Sequence, residues 1–358
     1  MAAPAARRAG PEELSWPRRL TVLGSTGFIG RSALEVAAAH PSRLQVWGLA
    51  ARANADLLAR QTLEASPKVV AIVDRNAAAR LRDLLAGRWD GEILEGDSGI
   101  ETLAGLGEAD IVLNALVGAA GLRPAMATLR TGRTLALANK ESLVIAGALL
   151  REEARRGGSA ILPVDSEHSG IFQCLEARGD QGVGRLILTA SGGPFRTRPL
   201  ASFPSITPAE ALRHPTWFMG PRITIDSATL LNKGFEVCEA HWLFDVPHER
   251  IDVWIHPQSI VHGLVEWRDG STTAQLSLPD MRIPIQYALC YPLRLQGVVE
   301  PCDLAARGPL EFHLPEPQRY PCLDLARAAL REGGAAPAVL NAADEILVKA
   351  FLEARIGF

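Results

Sequence analysis

Three acidic residues have the chemistry and the setting to hold a divalent cation. Asp165 and Glu167 directly follow a short apolar stretch, and Glu236 lies much further along the chain. If the extended conformation continues past that stretch, Asp165 and Glu167 point the same way, because strand side chains alternate. Carboxylate oxygens are the ligands that Mg²⁺ and Mn²⁺ prefer. Each acid alone is typical of a solvated face or a helix cap, but the three together favour a metal site.

The third acid lies in a segment that predicts a helix over residues 228–244. Asn232 and Glu236 would share one face of this helix, with Lys233 adjacent. Gly234 inside the helix costs about 1 kcal/mol relative to Ala. That cost indicates that something approaches the backbone closely at this point.

A second group of residues could bind a phosphate. Ser191, followed by Gly192 and Gly193, ends an apolar stretch, and Ser227 precedes the helix that carries Lys233. Two hydroxyls, a backbone amide and an ammonium could together surround a dianion. Ser227 could also be only the N-cap of its helix, a role that is compatible with phosphate binding as well as with its absence.

Residues 214–220 form a connecting segment with unusually large apolar side chains. Such a loop can close over a bound ligand and exclude water. The alternative is a loop that Trp217 pins to the core. Lys140 ends a different apolar stretch, where it could polarise a substrate oxygen or simply lie exposed to solvent.

A glycine-rich turn at residues 24–30 follows the first apolar stretch and precedes a helical segment. In that setting glycines let backbone amides approach a pyrophosphate at the helix N-terminus. The alternative is an ordinary strand-to-helix turn. An NAD enzyme would carry an acid at the end of the second strand, whereas this chain has Arg52 there, which favours NADPH unless Arg52 is only a solvated surface residue.

Apolar stretches alternate with helical segments in the first part of the chain. The candidate strands are residues 20–24, 44–50, 69–74, 110–116, 134–139 and 160–165. Continuous apolar strands between helices predict an α/β fold with an N-terminal, doubly wound (Rossmann-like) parallel sheet.

The pattern changes after Asp165, and a central α+β catalytic domain is expected there. Its candidate strands are residues 185–195, 222–227, 251–267 and 271–279. A small C-terminal helical domain should follow a Pro-rich linker. The expected division is a disordered tail at 1–18, an NADPH-binding domain at 19–165, a catalytic domain at 166–290, a linker at 291–322 and a helical segment at 323–358.

Composition excludes several classes of protein. A formal net charge of −3 over 358 residues gives no basic field that would gather nucleic acid. No apolar run is long enough to span a bilayer, and the arginines near the start are not followed by the apolar region of a secretory signal. Five widely spaced cysteines argue for a reducing compartment, so we expect a cytoplasmic protein.

These motifs closely resemble the 1-deoxy-D-xylulose 5-phosphate reductoisomerase family. The resemblance rests on LGSTGFIG, LVGAAGL, LANKESL, PVDSEH, ASGGPF, HPTWFMG, DSATLLNKGFE, HPQSIVHG and LPDMR. It implies NADPH- and metal-dependent rearrangement and reduction of 1-deoxy-D-xylulose 5-phosphate to 2-C-methyl-D-erythritol 4-phosphate, for isoprenoid biosynthesis. It also implies one divalent cation (Mg²⁺, Mn²⁺ or Co²⁺), a small phosphorylated sugar as substrate, and a homodimer built through the second domain's sheet.

The resemblance also implies roles for individual residues. The metal ligands would be Asp165, Glu167 and Glu236, and Lys140 and His214 would join them as catalytic residues. The substrate would meet Lys140, Ser166, Glu167, Ser191, His214, Trp217, Ser227, Asn232, Lys233 and Glu236, with Met219 beside Trp217 in the closing loop. The cofactor would meet Ser25, Thr26, Gly27, Phe28, Ile29, Arg52, Asn54, Asn139, Glu141 and Gly220.

This chain departs from the usual family pattern at three places. Phe28 replaces a usual Ser, and Arg52-Ala53-Asn54 replaces Gly-Lys/Arg-Asn, so the basic side chain is displaced by one position. Family members usually continue beyond the position of Phe358, so we expect a C-terminal segment shorter than usual.

Two other functions remain as alternatives, a semialdehyde or homoserine-type NADP dehydrogenase and a non-catalytic NADP-binding sensor.

Overall fold

The computed structural model describes residues 15–178, 182–217 and 220–358. Most of the tail expected at residues 1–18 therefore lies outside the described residues, as does Met219 in the expected closing loop.

A seven-stranded parallel sheet forms the first part of the fold. Its strands are β1 (Arg18–Leu23), β2 (Leu44–Ala51), β3 (Val69–Ile72), β4 (Glu92–Glu95), β5 (Ile111–Asn114), β6 (Thr134–Leu137) and β7 (Ile161–Pro163). The helices between them are α1 (Phe28–Ala39), α2 (Ala55–Ala65), α3 (Arg75–Leu85), α4 (Gly96–Gly105), α5 (Leu122–Arg130) and α6 (Lys140–Gly157). The strand order β4-β3-β2-β1-β5-β6-β7 confirms the predicted doubly wound sheet.

Apolar side chains on both faces of the central strands explain why this sheet forms. Leu20 and Val22 of β1 are fully buried in the largest apolar cluster, together with Leu113 of β5. The chain order of the strands reverses between β1 and β5, and ligands bind at such a switch point in open α/β sheets. The sequence interpretation missed β4, which has only four residues, is half-exposed and lies at the sheet edge.

The second part of the chain forms a four-stranded sheet covered by helices. Its elements in chain order are α7 (Ser166–Arg178), β8 (Val183–Ala190), α8 (Pro208–Ala211), α9 (Pro221–Thr229), α10 (Leu231–Phe244), β9 (Ile251–Ile255), β10 (Val261–Trp267), β11 (Thr272–Leu276) and α11 (Arg282–Cys290). The strand order is β11-β10-β8-β9, with only β8 and β9 parallel. This mixed sheet confirms the predicted α+β architecture.

Two local predictions in this part are wrong. Residues 222–227, expected as a strand, lie in helix α9, because Gly220 occupies the N-cap and Pro221 the first helical position, where proline starts helices. The single helix expected over residues 228–244 is broken, because Leu230 adopts a left-handed conformation (φ +58°) that ends α9 and begins α10.

Three helices complete the chain, namely α12 (Leu304–Arg307), α13 (Pro321–Glu332) and α14 (Ala336–Leu352). The region expected as a linker contains α12 and a β-bridge between His313 and Ile255. Helix α11, at the end of the expected catalytic domain, buries Leu289 in the same apolar cluster as the N-terminal sheet. The proposed domain boundaries stay predictions. Within the described residues no helix is both long and apolar enough to cross a membrane.

Candidate active site

The three acids singled out from the sequence lie together. One carboxylate oxygen from each of Asp165, Glu167 and Glu236 falls within 4.8 Å of the others. Asp165 and Glu167 are half-buried, and Glu236 is only 1% exposed. Three hard oxygen donors at this spacing fit one Mg²⁺ or Mn²⁺ ion.

The local geometry that aims the first two acids differs from the expected one. The chain does not stay extended after Asp165, because helix α7 begins at Ser166. The Asp165 carboxylate accepts hydrogen bonds from the backbone N–H groups of Glu167 (3.1 Å) and His168 (3.3 Å), so Asp165 caps the helix. The first turn of α7, rather than strand alternation, places Glu167 beside Asp165.

Two buried lysines join the carboxylates. The Lys140 ammonium lies 2.6 Å from Asn232 Oδ1, 3.3 Å from Glu236 Oε1 and 3.4 Å from Asp165 Oδ2. The Lys233 ammonium lies 2.6 Å from Glu236 Oε2 and 3.1 Å from Glu167 Oε1. Lys140 begins α6 at the end of β6, so this contact joins the two parts of the fold.

The charges in this cluster shift one another's pKa values. Burial alone would lower the pKa of Lys140, but the carboxylates of Glu236 and Asp165 outweigh burial and raise it well above its usual value. Burial, with the nearby Glu236 and Asp165, raises the pKa of Glu167 to about 7, although Lys233 opposes this. Crowded acids of this kind are ready to accept a cation, since it would relieve their mutual repulsion.

His214 connects the two serines of the expected phosphate site. Its Nε2 lies 3.0 Å from Ser191 Oγ and 3.0 Å from Ser227 Oγ. Its Nδ1 accepts hydrogen bonds from the backbone N–H groups of Thr216 (3.1 Å) and Trp217 (2.8 Å), so in the neutral ring Nε2 carries the proton. Burial, with the nearby Lys233, lowers the pKa of His214 to about 4, which keeps the ring neutral.

The glycine-rich turn folds as its sequence predicts. Gly24 has φ +85°, and a Cβ there would lie 2.6 Å from the Ala115 carbonyl oxygen. A Cβ on Gly30 would lie 2.3 Å from the Gly24 carbonyl oxygen, so only glycine fits where the turn meets α1. Gly27 and Phe28 are exposed, and Thr26 and Ile29 are half-buried.

Ser25 differs from its neighbours in the turn because it is fully buried. Its hydroxyl donates to Gln61 Oε1 (2.8 Å), and the Gln61 amide returns a hydrogen bond to the Ser25 carbonyl (2.9 Å). Ser25 therefore shapes the turn and does not present its hydroxyl to a ligand.

The end of β2 leaves Arg52 exposed. Asn54 is also exposed, but its side chain caps α2 by accepting from the Leu57 N–H (3.1 Å). On the other side of the sheet, Asn139 caps α6 and donates to Glu141 Oε2 (2.8 Å). Both cofactor candidates, Asn139 and Glu141, are buried.

The remaining candidates lie around the same cleft. Ser166 donates to Glu167 Oε2 (2.7 Å), and Trp217 packs edge-on against His262, with 6.4 Å between ring centroids. Gly220 is exposed at the N-cap of α9. The close approach expected at Gly234 is made by helix α13, because a Cβ there would lie 2.4 Å from Ala326 Cβ.

The sequence interpretation missed a histidine behind the acids. His168 is fully buried, with Nε2 2.9 Å from the Glu236 carbonyl oxygen and Nδ1 3.3 Å from Asp165 Oδ1. Burial would lower the pKa of His168, but Glu239 and Asp165 raise it to about 9. Its position three residues after Asp165, on the same face of a helix, was the available signal.

Comparison with known proteins identifies a family. A family profile described as 1-deoxy-D-xylulose 5-phosphate reductoisomerase matches residues 20–147. Profiles of the C-terminal domains of the same enzyme match residues 161–244 and 276–358. The 1-deoxy-D-xylulose 5-phosphate reductoisomerase of Paraburkholderia xenovorans is 52% identical over 346 residues, covering 95% of this chain and 86% of the relative. The one from Methylobacillus flagellatus is 49% identical over 346 residues, with 95% and 88% coverage.

Solved structures agree with the sequence comparison. A 1-deoxy-D-xylulose 5-phosphate reductoisomerase from Zymomonas mobilis, in complex with NADPH, is 43% identical with a TM-score of 0.90, over 95% of this chain and 88% of that one. A DOX-P reductoisomerase in complex with NADPH, fosmidomycin and magnesium is 41% identical with a TM-score of 0.91, over 95% and 86%. The resemblance inferred from the motifs is confirmed: this chain belongs to the 1-deoxy-D-xylulose 5-phosphate reductoisomerase family.

Proposed function

We propose that this chain converts 1-deoxy-D-xylulose 5-phosphate to 2-C-methyl-D-erythritol 4-phosphate, with NADPH as reductant and one divalent cation. The observation that carries this proposal is the convergence of Asp165, Glu167 and Glu236 within 4.8 Å, next to the serine and histidine donors. Family membership supplies the reaction, and the site supplies groups that suit each part of it.

The three carboxylates would hold the cation. Their oxygens are hard donors, their spacing suits one ion, and burial has already raised the pKa of Glu167 to about 7. When bound, a divalent cation supplies Lewis-acid stabilisation of negative charge on substrate oxygens during cleavage and rejoining of the carbon–carbon bond. When all are ionised, the three carboxylates and two ammonium groups carry a net charge of −1, so a divalent ion makes the cluster attractive to an anionic substrate.

The phosphate would bind between Ser191, Ser227 and His214. Both hydroxyls already lie 3.0 Å from the protonated Nε2 of His214, so the three groups form one donor surface. Asn232 and Lys233 lie in the first turn of α10, where backbone N–H groups and the helix dipole favour an anion. These residues would fix the phosphate end and leave the ketone end of the substrate near the acids.

Lys140 would orient the substrate beside the cation. Its ammonium is buried, donates to Asn232 and lies near two of the acids, so it can donate to a substrate oxygen without changing its own charge. Trp217 and the loop around it would cover the site and exclude water.

The nucleotide would lie along the carboxyl ends of β1, β2 and β6. When bound, NADPH supplies the hydride for the reduction step. The exposed Gly27 and the amides that begin α1 would meet the pyrophosphate, and Arg52 would meet the 2′-phosphate. Glu141 and Asn139 would border the cofactor at the end of β6.

Three of the five thiols are too deeply buried to suit the semialdehyde dehydrogenase alternative. That chemistry needs an activated cysteine nucleophile. Burial raises the pKa of Cys174 to about 11, of Cys238 to about 12 and of Cys290 to about 11. The non-catalytic sensor alternative is disfavoured because all three metal carboxylates are present and lie together.

We also propose a cytoplasmic homodimer. Strand β11 lies at the edge of the four-stranded sheet, the position where a strand of a second copy would pair. Light scattering after gel filtration should give twice the chain mass, and a monomer at all concentrations would contradict the dimer.

Activity of the purified full chain tests the function directly. We expect loss of NADPH absorbance with 1-deoxy-D-xylulose 5-phosphate and Mg²⁺, Mn²⁺ or Co²⁺, and none after treatment with a chelator. NADH in place of NADPH tests Arg52, since we expect slower turnover with NADH. Absence of turnover with all three metals would defeat the proposal.

A further inference from the structure

Arg222, in the first turn of α9, joins three parts of the fold through one guanidinium group. The side chain is 18% exposed and contacts acidic groups on α6 and α14. Neither the phosphate site nor the acid cluster uses it.

The first contact leads to a candidate cofactor residue. Arg222 Nη1 donates to Glu141 Oε1 at 3.2 Å, and the other oxygen of the same carboxylate accepts from Asn139 Nδ2 at 2.8 Å. The Glu141 carboxylate is therefore held from both sides, one oxygen by each donor. Asn139 Nδ2 also donates to the Gly118 carbonyl (3.0 Å), which ties the end of β6 to the loop that follows β5.

The second set of contacts comes from α14. Arg222 Nη1 lies 2.8 Å from Glu345 Oε1, and Nη2 lies 2.8 Å from both Asp344 Oδ2 and Asn341 Oδ1. Asn341 and Asp344 are almost completely buried. The guanidinium plane is thus fixed by α14, and through it α14 determines where the Glu141 carboxylate lies.

The same group borders an open cleft. A cleft of about 680 Å³ is lined by residues of the loop after β5, by Arg222 and by α14. Gly118 has φ +71°, and a Cβ there would lie 3.0 Å from Glu345 Oε1, so this loop packs directly on the Arg222–Glu345 pair. The loop follows β5, next to the switch point of the sheet, where a dinucleotide is expected.

We propose that Arg222 is a positioning residue for NADPH, which acts by holding Glu141 and the loop at Gly118 in the geometry that the cofactor needs. The inference rests on the proposed function, because Glu141 borders the cofactor only there. It assigns to α14, which lies outside the acid cluster and the phosphate site, a role in cofactor affinity. Loss of the guanidinium would leave Glu141 held by Asn139 alone, with its Oε1 no longer fixed.

Equilibrium binding of NADPH to the full chain, followed by the fluorescence of the cofactor, tests this role. Arg222→Met should weaken binding about tenfold, which is the equivalent of one charged hydrogen bond. Arg222→Lys keeps the charge and should recover part of the affinity. The KM for NADPH should rise with the dissociation constant, while the KM for 1-deoxy-D-xylulose 5-phosphate should stay close to the wild-type value.

Two control variants separate positioning from general stability. Arg151→Met removes a partly buried ion pair with Asp245 (2.7 Å) that also involves α6 but lies elsewhere. Phe351→Leu weakens the packing of α14 at a buried position without touching the Arg222 contacts. Both should lower the thermal midpoint and leave NADPH affinity unchanged.

Two outcomes would overturn the inference. One is Arg222→Met with a lowered thermal midpoint but normal NADPH affinity, and the other is Phe351→Leu weakening NADPH binding as much as Arg222→Met. A wild-type chain that binds NADPH but leaves the sugar phosphate unchanged would refute only the proposed function. A wild-type chain that does not bind NADPH would refute both.

Discussion

Replacement of Glu236 by Gln should abolish tight metal binding while the apoprotein stays folded. Glu236 is 1% exposed, and its two oxygens accept from Lys140, Asn232 and Lys233. Glutamine keeps the shape of the side chain and removes one negative charge from the three carboxylates. The stability of the metal-bound protein and that of the apoprotein depend on this charge to different extents.

The metal-bound state depends on it strongly. Two unit charges about 4 Å apart interact by about 4 kcal/mol in partly buried surroundings. Removing a carboxylate charge next to a bound divalent ion should therefore cost at least that much binding free energy. A loss of about 4 kcal/mol corresponds to about a thousandfold weaker binding. The apoprotein loses less, because the variant has two carboxylates facing two ammonium groups, and Lys233 keeps its 3.1 Å contact with Glu167.

Isothermal titration of the metal-free protein with Mn²⁺ provides the measurement, and thermal unfolding of the apoprotein checks the fold. Asp344→Asn is a matched control, since Asp344 is a buried acid outside the cluster. We expect normal Mn²⁺ affinity in that control and none measurable in Glu236→Gln. Metal affinity within tenfold of wild type in Glu236→Gln would refute the assignment of Glu236 as a ligand.

Three further predictions follow from other parts of the structure. His214→Gln should raise the KM for substrate about tenfold or more, as expected for a lost charged hydrogen bond, and steady-state kinetics will show a normal KM if His214 does not touch substrate. Gly234→Ala should lower the thermal midpoint despite the better helix propensity of Ala, because its Cβ would lie 2.4 Å from Ala326 Cβ; adding Ala326→Gly should restore the midpoint, and no restoration would contradict the packing argument. The free energy of unfolding should fall as pH rises above the ordinary pKa range of carboxyl groups, because of Asp226 and Asp344. Denaturation at a series of pH values should show a smaller fall for Asp226→Asn.

The sign of the pH effect follows from the direction of the pKa shifts. Burial, with the nearby Asp344, raises the pKa of Asp226 well above its usual value of 3.8, although Arg222 opposes this. Burial also raises the pKa of Asp344, against Arg222. A group whose pKa is raised on folding stabilises the protein below the unfolded pKa and loses that contribution as pH rises through the folded pKa. Lys140 and Glu345 also face this pair. Comparing Asp226→Asn with the wild type isolates the contribution of the Asp226–Asp344 pair to the pH dependence. Equal pH profiles for the two proteins would contradict the assignment.

The sequence predicted the sheet and the acids for physical reasons that are local. Continuous apolar strands need helices on both faces to be buried, so their alternation with helical segments predicts the parallel sheet. The acids could be grouped because carboxylate oxygens are the ligands that a divalent cation prefers, and three of them favour a site where one alone does not. The placement of Glu167 on the first turn of α7 could not be inferred, since a helix starting at Ser166 and a continued strand both bring Glu167 near Asp165.

The errors have physical causes as well. Residues 222–227 alternate β-branched and polar side chains as a strand does, but six residues are too few to separate the two periods. Pro221 at the first helical position was the signal that should have prevailed. The left-handed Leu230 gave no signal in the sequence, because leucine rarely adopts positive φ.

Long-range polar contacts could not be predicted from the sequence. The pairing of Arg222 with Asp344 spans more than a hundred positions along the chain, and nothing in either segment indicates the other. The tautomer of His214 depends likewise on backbone N–H groups whose direction only the folded loop defines.

Anomalous diffraction from crystals of the full chain grown with Mn²⁺ will show whether the three acids share one cation. We predict one strong peak within bonding distance of carboxylate oxygens from Asp165, Glu167 and Glu236. An active protein whose Mn²⁺ peak lies away from these three side chains would contradict it.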